Sequence, residues 1–255
     1  MSRTLKFIGF LFAILLTGCT SDAPHDNPLD PANGIHITGR VERLYSTAPL
    51  SGATLTLKPG NRIARSTMDG TYQIENISPG NYTLLCSAEG FLTDSVTLTL
   101  NRSDTTIFKL NALPYLNHIS LTTQHISNSF PADDDFFVQS TAVAGDPDNT
   151  SDVELVRYEI DGFAFADTLT LIDISAQGKT FTAELQPGEL GLMSLEQLIG
   201  KPFNFYVEDL PGAVVREPEQ FIIRIIDEVP TTLAPQGNSV NPPFQFEWEP
   251  MNLPF

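Results

Sequence analysis

The sequence predicts an all-β protein: tandem β-sandwich domains behind an N-terminal export signal. Three observations predict this fold class. Gly and Pro total 36 and are spread along the whole chain, as expected where many turns separate short elements. Thr, Val, Ile and Phe fall in short runs that alternate with polar residues, the period that places one side of a strand on a core. No run after the N-terminus is apolar enough to cross a membrane as a helix.

The N-terminus comes first. Arg3 and Lys6 precede an apolar run of ten residues, Phe7 to Leu16, short of the roughly 20 that a spanning helix needs. A basic segment, a short apolar segment and small residues before a break are the layout of a secretory signal. The closing residues Leu16-Thr17-Gly18-Cys19 resemble the bacterial lipobox. That resemblance implies cleavage between Gly18 and Cys19, leaving a lipoprotein signal peptide of residues 1–18 and a diacylglycerol on the Cys19 thiol. Thr20 follows the cysteine in place of an Asp that would resemble an inner-membrane retention signal. The expected location is therefore the cell envelope, lipid-anchored in the outer membrane, facing the periplasm or the surface. Residues 19–33 carry three Asp, three Pro and two Asn around a lone Leu29. They are too polar to build a core and are expected to form a tether.

A first domain is expected over residues 34–112. Alternating sets include Ile35 and Ile37, then Ala53, Leu55 and Leu57, then Tyr72 and Ile74, then Tyr82, Leu84, Cys86 and Ala88, and finally Phe108 and Leu110. Turn signals such as Ser51-Gly52, Pro59-Gly60-Asn61, Asp69-Gly70, Pro79-Gly80-Asn81 and Glu89-Gly90 separate them. About seven short strands in so few residues make a small sandwich. Ile37-Thr38-Gly39-Arg40-Val41, Pro49 to Leu55, Thr67 to Tyr72, Ile77 to Leu84 and Ala88-Glu89-Gly90-Phe91 resemble the carboxypeptidase regulatory-like domain. The resemblance implies a transthyretin-like sandwich that is a non-catalytic module, so it brings no catalytic residues. Cys86 is in phase with the inward set, which predicts a small buried hydrophobe rather than a reactive thiol. With Cys19 acylated, no second cysteine remains to pair with it.

A second β segment is expected over residues 114–228. Val138 to Ala144, Val156-Tyr158-Ile160, Phe181-Ala183-Leu185, Phe203-Phe205-Val207 and Phe221-Ile223-Ile225 alternate. Leu192, Leu195, Leu198 and Ile199 have helical spacing, which predicts one short helix over residues 190–199. Ala144-Gly145-Asp146-Pro147-Asp148, Val156 to Asp161 and Val207-Glu208-Asp209 resemble a bacterial immunoglobulin-like domain, and a fibronectin-like relative would read much the same. Residues 229–255, with Phe244, Phe246 and Trp248 in alternation, resemble the first strands of a fibronectin type III-like module, incomplete as it stands: either the module continues past Phe255, the favoured expectation, or the tail docks on its neighbour.

Charge and motif content narrow the function. Acidic residues outnumber basic ones 31 to 14, a net charge of −17. Removing residues 1–18 takes away Arg3 and Lys6 and no acid, giving −19. Such a balance excludes nucleic acid as a partner and gives no grip on anionic lipid; membrane attachment falls to the acylated Cys19. His25, His36, His118 and His125 stand apart, and no nucleophile elbow, phosphate loop, His-Glu-x-x-His or paired-cysteine metal motif occurs. No catalytic residue and no cofactor is expected. Asp133-Asp134-Asp135 and Asp146-Pro147-Asp148-Asn149 are rich in the oxygens calcium takes, making Asp133, Asp135, Asp146 and Asp148 the candidates. Against them, the EF-hand spacing is absent and Asp suits turns; the expectation is no metal. Tyr45, Tyr115, Phe163, Phe165 and Tyr206 fall outside clear core phase and are the aromatics on which a sugar could stack.

The sequence thus reads as a non-enzymatic, lipid-anchored envelope protein that displays or binds, its partner a surface protein or a polysaccharide. Two alternatives stay open: a glycan-binding lipoprotein working beside an outer-membrane transporter, and the accessory N-terminal part of an enzyme whose catalytic domain lies beyond Phe255.

Overall fold

A computed structural model describes residues 34–129, 132–225, 232–234, 242–243 and 245–249. The signal segment, Cys19 and the expected tether lie outside the described residues. The chain divides into two compact units between Leu110 and Asn111, and strands dominate both, with no α-helix among the described residues.

The first unit holds seven strands: β1 (Ile35–Arg43), β2 (Thr54–Lys58), β3 (Arg62–Arg65), β4 (Thr71–Ile77), β5 (Gly80–Ser87), β6 (Asp94–Leu100) and β7 (Asp104–Leu110). They make two sheets, β4-β1-β7 and β3-β2-β5-β6. Only β1 and β7 run parallel, from Ile37 opposite Asp104 to Arg43 opposite Leu110. Most of the inward set follows the period-two pattern: Ile37, Leu55, Leu57, Tyr72, Ile74, Leu84, Cys86, Leu100, Phe108 and Leu110 are buried in one cluster, which Val41 joins, while Ile35, Tyr82 and Ala88 pack against it only partly buried. Cys86 is a fully buried free thiol, and burial together with nearby Asp94 pushes its pKa up to about 12. It is therefore a packed, protonated side chain without nucleophilic character.

Two backbone positions in this unit admit only glycine. At Gly39 an added Cβ would lie 1.8 Å from the Thr106 carbonyl oxygen and 2.8 Å from the Tyr72 hydroxyl. At Gly70 the backbone is left-handed, φ +74°, and a Cβ would meet the Val41 carbonyl at 2.6 Å, so the Asp69-Gly70 turn read from sequence has a second, steric reason for its glycine. Buried Ser66 ties the same region together, donating to the Leu50 carbonyl at 2.6 Å and accepting from the Ala53 amide at 2.9 Å.

The second unit pairs two sheets. One contains β8 (Tyr115–Ser129), β9 (Ala132–Gly145), β12 (Thr170–Ser175) and β13 (Gly178–Leu185), in the order β12-β13-β9-β8. The other contains β10 (Val153–Ile160), β11 (Ala166–Thr168), β14 (Pro202–Asp209), β15 (Val214–Arg216) and β16 (Gln220–Phe221), in the order β11-β10-β14-β15 with β16 also on β14. The core is centred on Tyr158, whose ring lies 5.6 Å from Phe205, 5.9 Å from Phe165 and 6.0 Å from Phe203. Beyond the sandwiches, a short pair is formed by β17 (Thr232–Ala234) and β18 (Glu247–Trp248); the rest of the expected third module lies outside the described residues.

Three local expectations change. The helix expected over residues 190–199 is two separate 3-10 turns, Pro187–Leu190 and Leu195–Leu198. Gly191, left-handed at φ 69°, ends the first turn, and the Ser194 side chain caps the second by accepting from Glu196 N. Leu195 and Leu198 are buried three residues apart, a spacing that a 3-10 turn satisfies as well as an α-helix does. The closing strand expected at Phe221–Ile225 reduces to β16 and a single bridge at Ile222. Phe163 and Phe165, expected outside core phase, pack against the core.

Candidate functional site

The residues singled out from the sequence do not gather at one place. Asp133 and Asp135 stand at the start of β9 and Asp146 follows its end, so the 14-residue strand holds the two acidic groups roughly 40 Å apart at about 3.3 Å per residue. They cannot share one cation. His36 is buried with Nδ1 3.2 Å from the Ser103 hydroxyl. His118 is exposed on β8, and His125 stacks on Phe136 at 4.1 Å with Nε2 3.4 Å from Asp134 Oδ2. Among the described residues, no three His, Cys, Asp or Glu side chains come together as a metal-holding group. His25 lies outside the described residues.

The aromatics expected to offer sugar platforms are equally scattered. Tyr45 is exposed in a left-handed turn of the first unit. The Tyr115 ring is laid against Gly145, where a Cβ would meet its hydroxyl at 2.7 Å. Tyr206 has one ring face covered by the Arg157 guanidinium, 4.0 Å from the ring centroid, a cation–π contact.

What the topology does assemble is a pair of polar networks on the outer face of β10, β14 and β15. Alternation puts Tyr158, Phe203, Phe205 and Val207 inward and sends Arg157, Glu159 and Tyr206 to the other face, where Asn204 is also placed but is itself buried. Register then sets Arg157 opposite Tyr206, Glu159 opposite Asn204, and Tyr206 opposite Arg216. Arg157 donates to Glu159 at 2.5 Å and the Tyr206 hydroxyl lies 3.4 Å from the other Glu159 oxygen. Asn204 donates to Asp161 at 2.8 Å, while Arg216 donates to Asn204 Oδ1 at 2.5 Å and to Glu219 at 3.0 Å. Each long side chain is held by at least one neighbour, so the face is pre-ordered and carries both donors and acceptors.

A second assembly surrounds the loop after β9. Asp146 Oδ1 accepts from the amides of Asp148, 2.7 Å, and Asn149, 3.3 Å. Asn149 in turn caps the 3-10 turn Thr150–Asp152 by accepting from Ser151 N. Asp148 Oδ2 accepts from Ala112 N at 2.6 Å. Asn111 Nδ2 donates to Asp209 Oδ2 at 2.7 Å, and Asp209 Oδ1 accepts from Ala213 N at 2.6 Å. Asp146, Asp152 and Asp209 are all buried. Sequence reasoning found Asp146 and Asp148 but missed Asn111, Asp152 and Asp209. One signal was present: Asp209 is in phase with inward Phe203, Phe205 and Val207, an acid where the pattern calls for a hydrophobe.

Burial is the largest effect on Asp146 and pushes its pKa up to about 6, aided by Asp152 and Asp148 and opposed by the two amide bonds. A carboxyl whose folded pKa exceeds its unfolded value favours the fold in its protonated form. The protonated fold is fully favoured below about pH 4, and that advantage is lost as pH rises to about 6. In metal-free buffer, Asp146→Asn and wild type should therefore melt together near pH 4, and the variant should melt higher at pH 7. Paired thermal melts across that range check it; a variant that loses stability relative to wild type as pH rises would contradict it.

The structure thus defines an all-β protein of two consecutive sandwiches. Residues 36–111, the first of them, match the carboxypeptidase regulatory-like domain. No curated protein matches the chain. Among solved structures, it is similar to a protein of the DUF3823 family from Bacteroides ovatus, with 13% identity over 73% of this chain and 96% of that one, TM-score 0.30. It is also similar to the major pilin subunit of Bacillus cereus, with 9% identity over 72% and 66% and TM-score 0.34. A third likeness is to a chain from a type II cohesin–X-dockerin complex of Acetivibrio cellulolyticus, with 18% identity over 31% and 58% and TM-score 0.29. This chain spans little more than half of that last relative. None of these structural likenesses is close enough to carry a functional argument.

Proposed function

We propose that this protein is a non-catalytic interaction module of the bacterial cell envelope, held in the outer membrane by acyl chains on Cys19 and binding its partner through the outer face of β10, β14 and β15. The N-terminal pattern around Leu16-Thr17-Gly18-Cys19 supports the anchor, and the match of residues 36–111 to a regulatory-like domain supports a module that binds without catalysing. The observation that carries the choice of surface is the Arg157–Glu159–Tyr206 and Asp161–Asn204–Arg216 network. Arginines already fixed in place lose little side-chain freedom when a polar partner, a polysaccharide or a polar protein surface, takes up their remaining hydrogen bonds.

Two measurements test this reading separately. Cys19→Ala should move the protein from the membrane fraction to the soluble fraction; retention in the membrane would remove the anchor. Polysaccharide affinity gels and capture by envelope proteins should show binding by wild type that falls at least tenfold in the Arg157→Ala, Arg216→Ala double variant. Binding unchanged by that double substitution would move the site elsewhere.

A further inference from the structure

We propose that the loop after β9 is a calcium site, in which Asp146 and Asp148 supply carboxylate oxygens and Asn111 an amide oxygen. The loop fixes each aspartate through one oxygen and leaves the other over. Asp146 Oδ1 is taken by the amides of Asp148 and Asn149, and Asp148 Oδ2 by the amide of Ala112. The remaining oxygens, Asp146 Oδ2 and Asp148 Oδ1, are buried without a hydrogen-bond partner.

A neutral residue makes the same statement independently. Asn111 is 7% exposed, and its Oδ1 is also buried without a partner. Its orientation is not arbitrary: Asp209 can only accept, so Nδ2 must face it at 2.7 Å, which turns Oδ1 the other way. The next residue, Ala112, donates to Asp148, so the same two-residue segment brings Asn111 alongside that carboxylate. Buried polar atoms are almost always paired, and three buried oxygens without hydrogen-bond partners, two from carboxylates of the loop and one from the Asn111 amide, are a donor set that one cation can take up. Lys179, on β13 opposite Ala144, has its Nζ 2.9 Å from the Ser151 carbonyl and 2.6 Å from that of Val153.

The donor set selects the ion. No three His, Cys, Asp or Glu side chains gather among the described residues, and there is no imidazole or thiolate in the loop, which argues against zinc and its relatives. Two carboxylates, an amide oxygen and room for main-chain carbonyls and water suit calcium, which takes six to eight oxygens in flexible geometry; magnesium demands a near-ideal octahedron. Buried Asp152 and Asp209 add to the negative potential there.

The test uses the full chain in detergent micelles, stripped with EDTA and titrated with calcium chloride in a calorimeter. The expected result is one calcium per chain that magnesium does not replace, with affinity falling at least tenfold in Asp146→Asn and in Asp148→Asn and unchanged in Asp135→Asn. Calcium should raise the wild-type melting temperature and leave that of Asp146→Asn where it was. No binding at millimolar calcium, equal binding by magnesium, or wild-type affinity in both aspartate variants would overturn the site. Hydrogen exchange on wild type needs no variant to fold: calcium should slow the amides of residues 146–152, and slowing confined to other segments would also overturn it.

Discussion

Gly39→Ala is expected to destabilise the first unit by a large part of its stability. The added methyl group would be placed 1.8 Å from the Thr106 carbonyl oxygen and 2.8 Å from the Thr106 carbonyl carbon, and no rotamer change moves a backbone atom away. Gly39 faces Thr106 across the parallel β1–β7 pair, so relief requires those strands to part at the middle of their contact. The same carbonyl accepts the Tyr72 hydroxyl at 2.8 Å, and that part-buried bond would be lost with it. Overpacking alone costs about 1–3 kcal/mol, and an unpaired buried hydroxyl adds about 1–3. A loss of about 4 kcal/mol or more is a large part of a stability that runs to only about 5–15. Chemical denaturation of Gly39→Ala beside Arg40→Ala checks this, since Arg40 is exposed and its loss should cost about 0.5 kcal/mol. Equal midpoints for the two variants would show that the strands yield where they are expected to resist.

Tyr158 gives the second large effect, and its two parts have opposite signs. Its ring is the hub of the second core, in contact with Phe165, Phe203 and Phe205. Tyr158→Ala should cost about 3–5 kcal/mol, the range for emptying a buried aromatic site. Its hydroxyl, however, is buried without a hydrogen-bond partner. Tyr158→Phe keeps the ring contacts and removes the unpaired group, so it should be neutral or stabilise by about 1 kcal/mol. Urea midpoints of the two variants separate ring from hydroxyl. A Tyr158→Phe variant as unstable as Tyr158→Ala would mean that the hydroxyl is engaged.

Much of this fold was legible in the sequence because period two is a local signal. Tyr82, Leu84 and Cys86 announce β5, and Phe203, Phe205 and Val207 announce β14. What escaped had no such signal. β12 is exposed along its whole length, so nothing in Thr170 to Ser175 needed to alternate. Leu192, Leu195 and Leu198 fit a period of three as well as one of 3.6, and only the left-handed Gly191 decides between a helix and two turns. The loop site was half visible. Asp146 and Asp148 stand together in the sequence, but Asn111 reaches Asp209 across 98 residues, a pairing that only the folded register creates. The outer networks were hidden differently: Arg157, Glu159 and Tyr206 each look like ordinary solvated positions until register sets them side by side.

The parallel pairing of β1 with β7 has a mechanical consequence. In an antiparallel closure the chain would enter and leave the unit at one end, and a pull on its termini would peel the strands apart one hydrogen bond after another. Here the start of β1 and the finish of β7 point to opposite ends, with seven residue pairs in register between them. Tension passing through the unit loads that seam in shear, so its hydrogen bonds share the load and must rupture together.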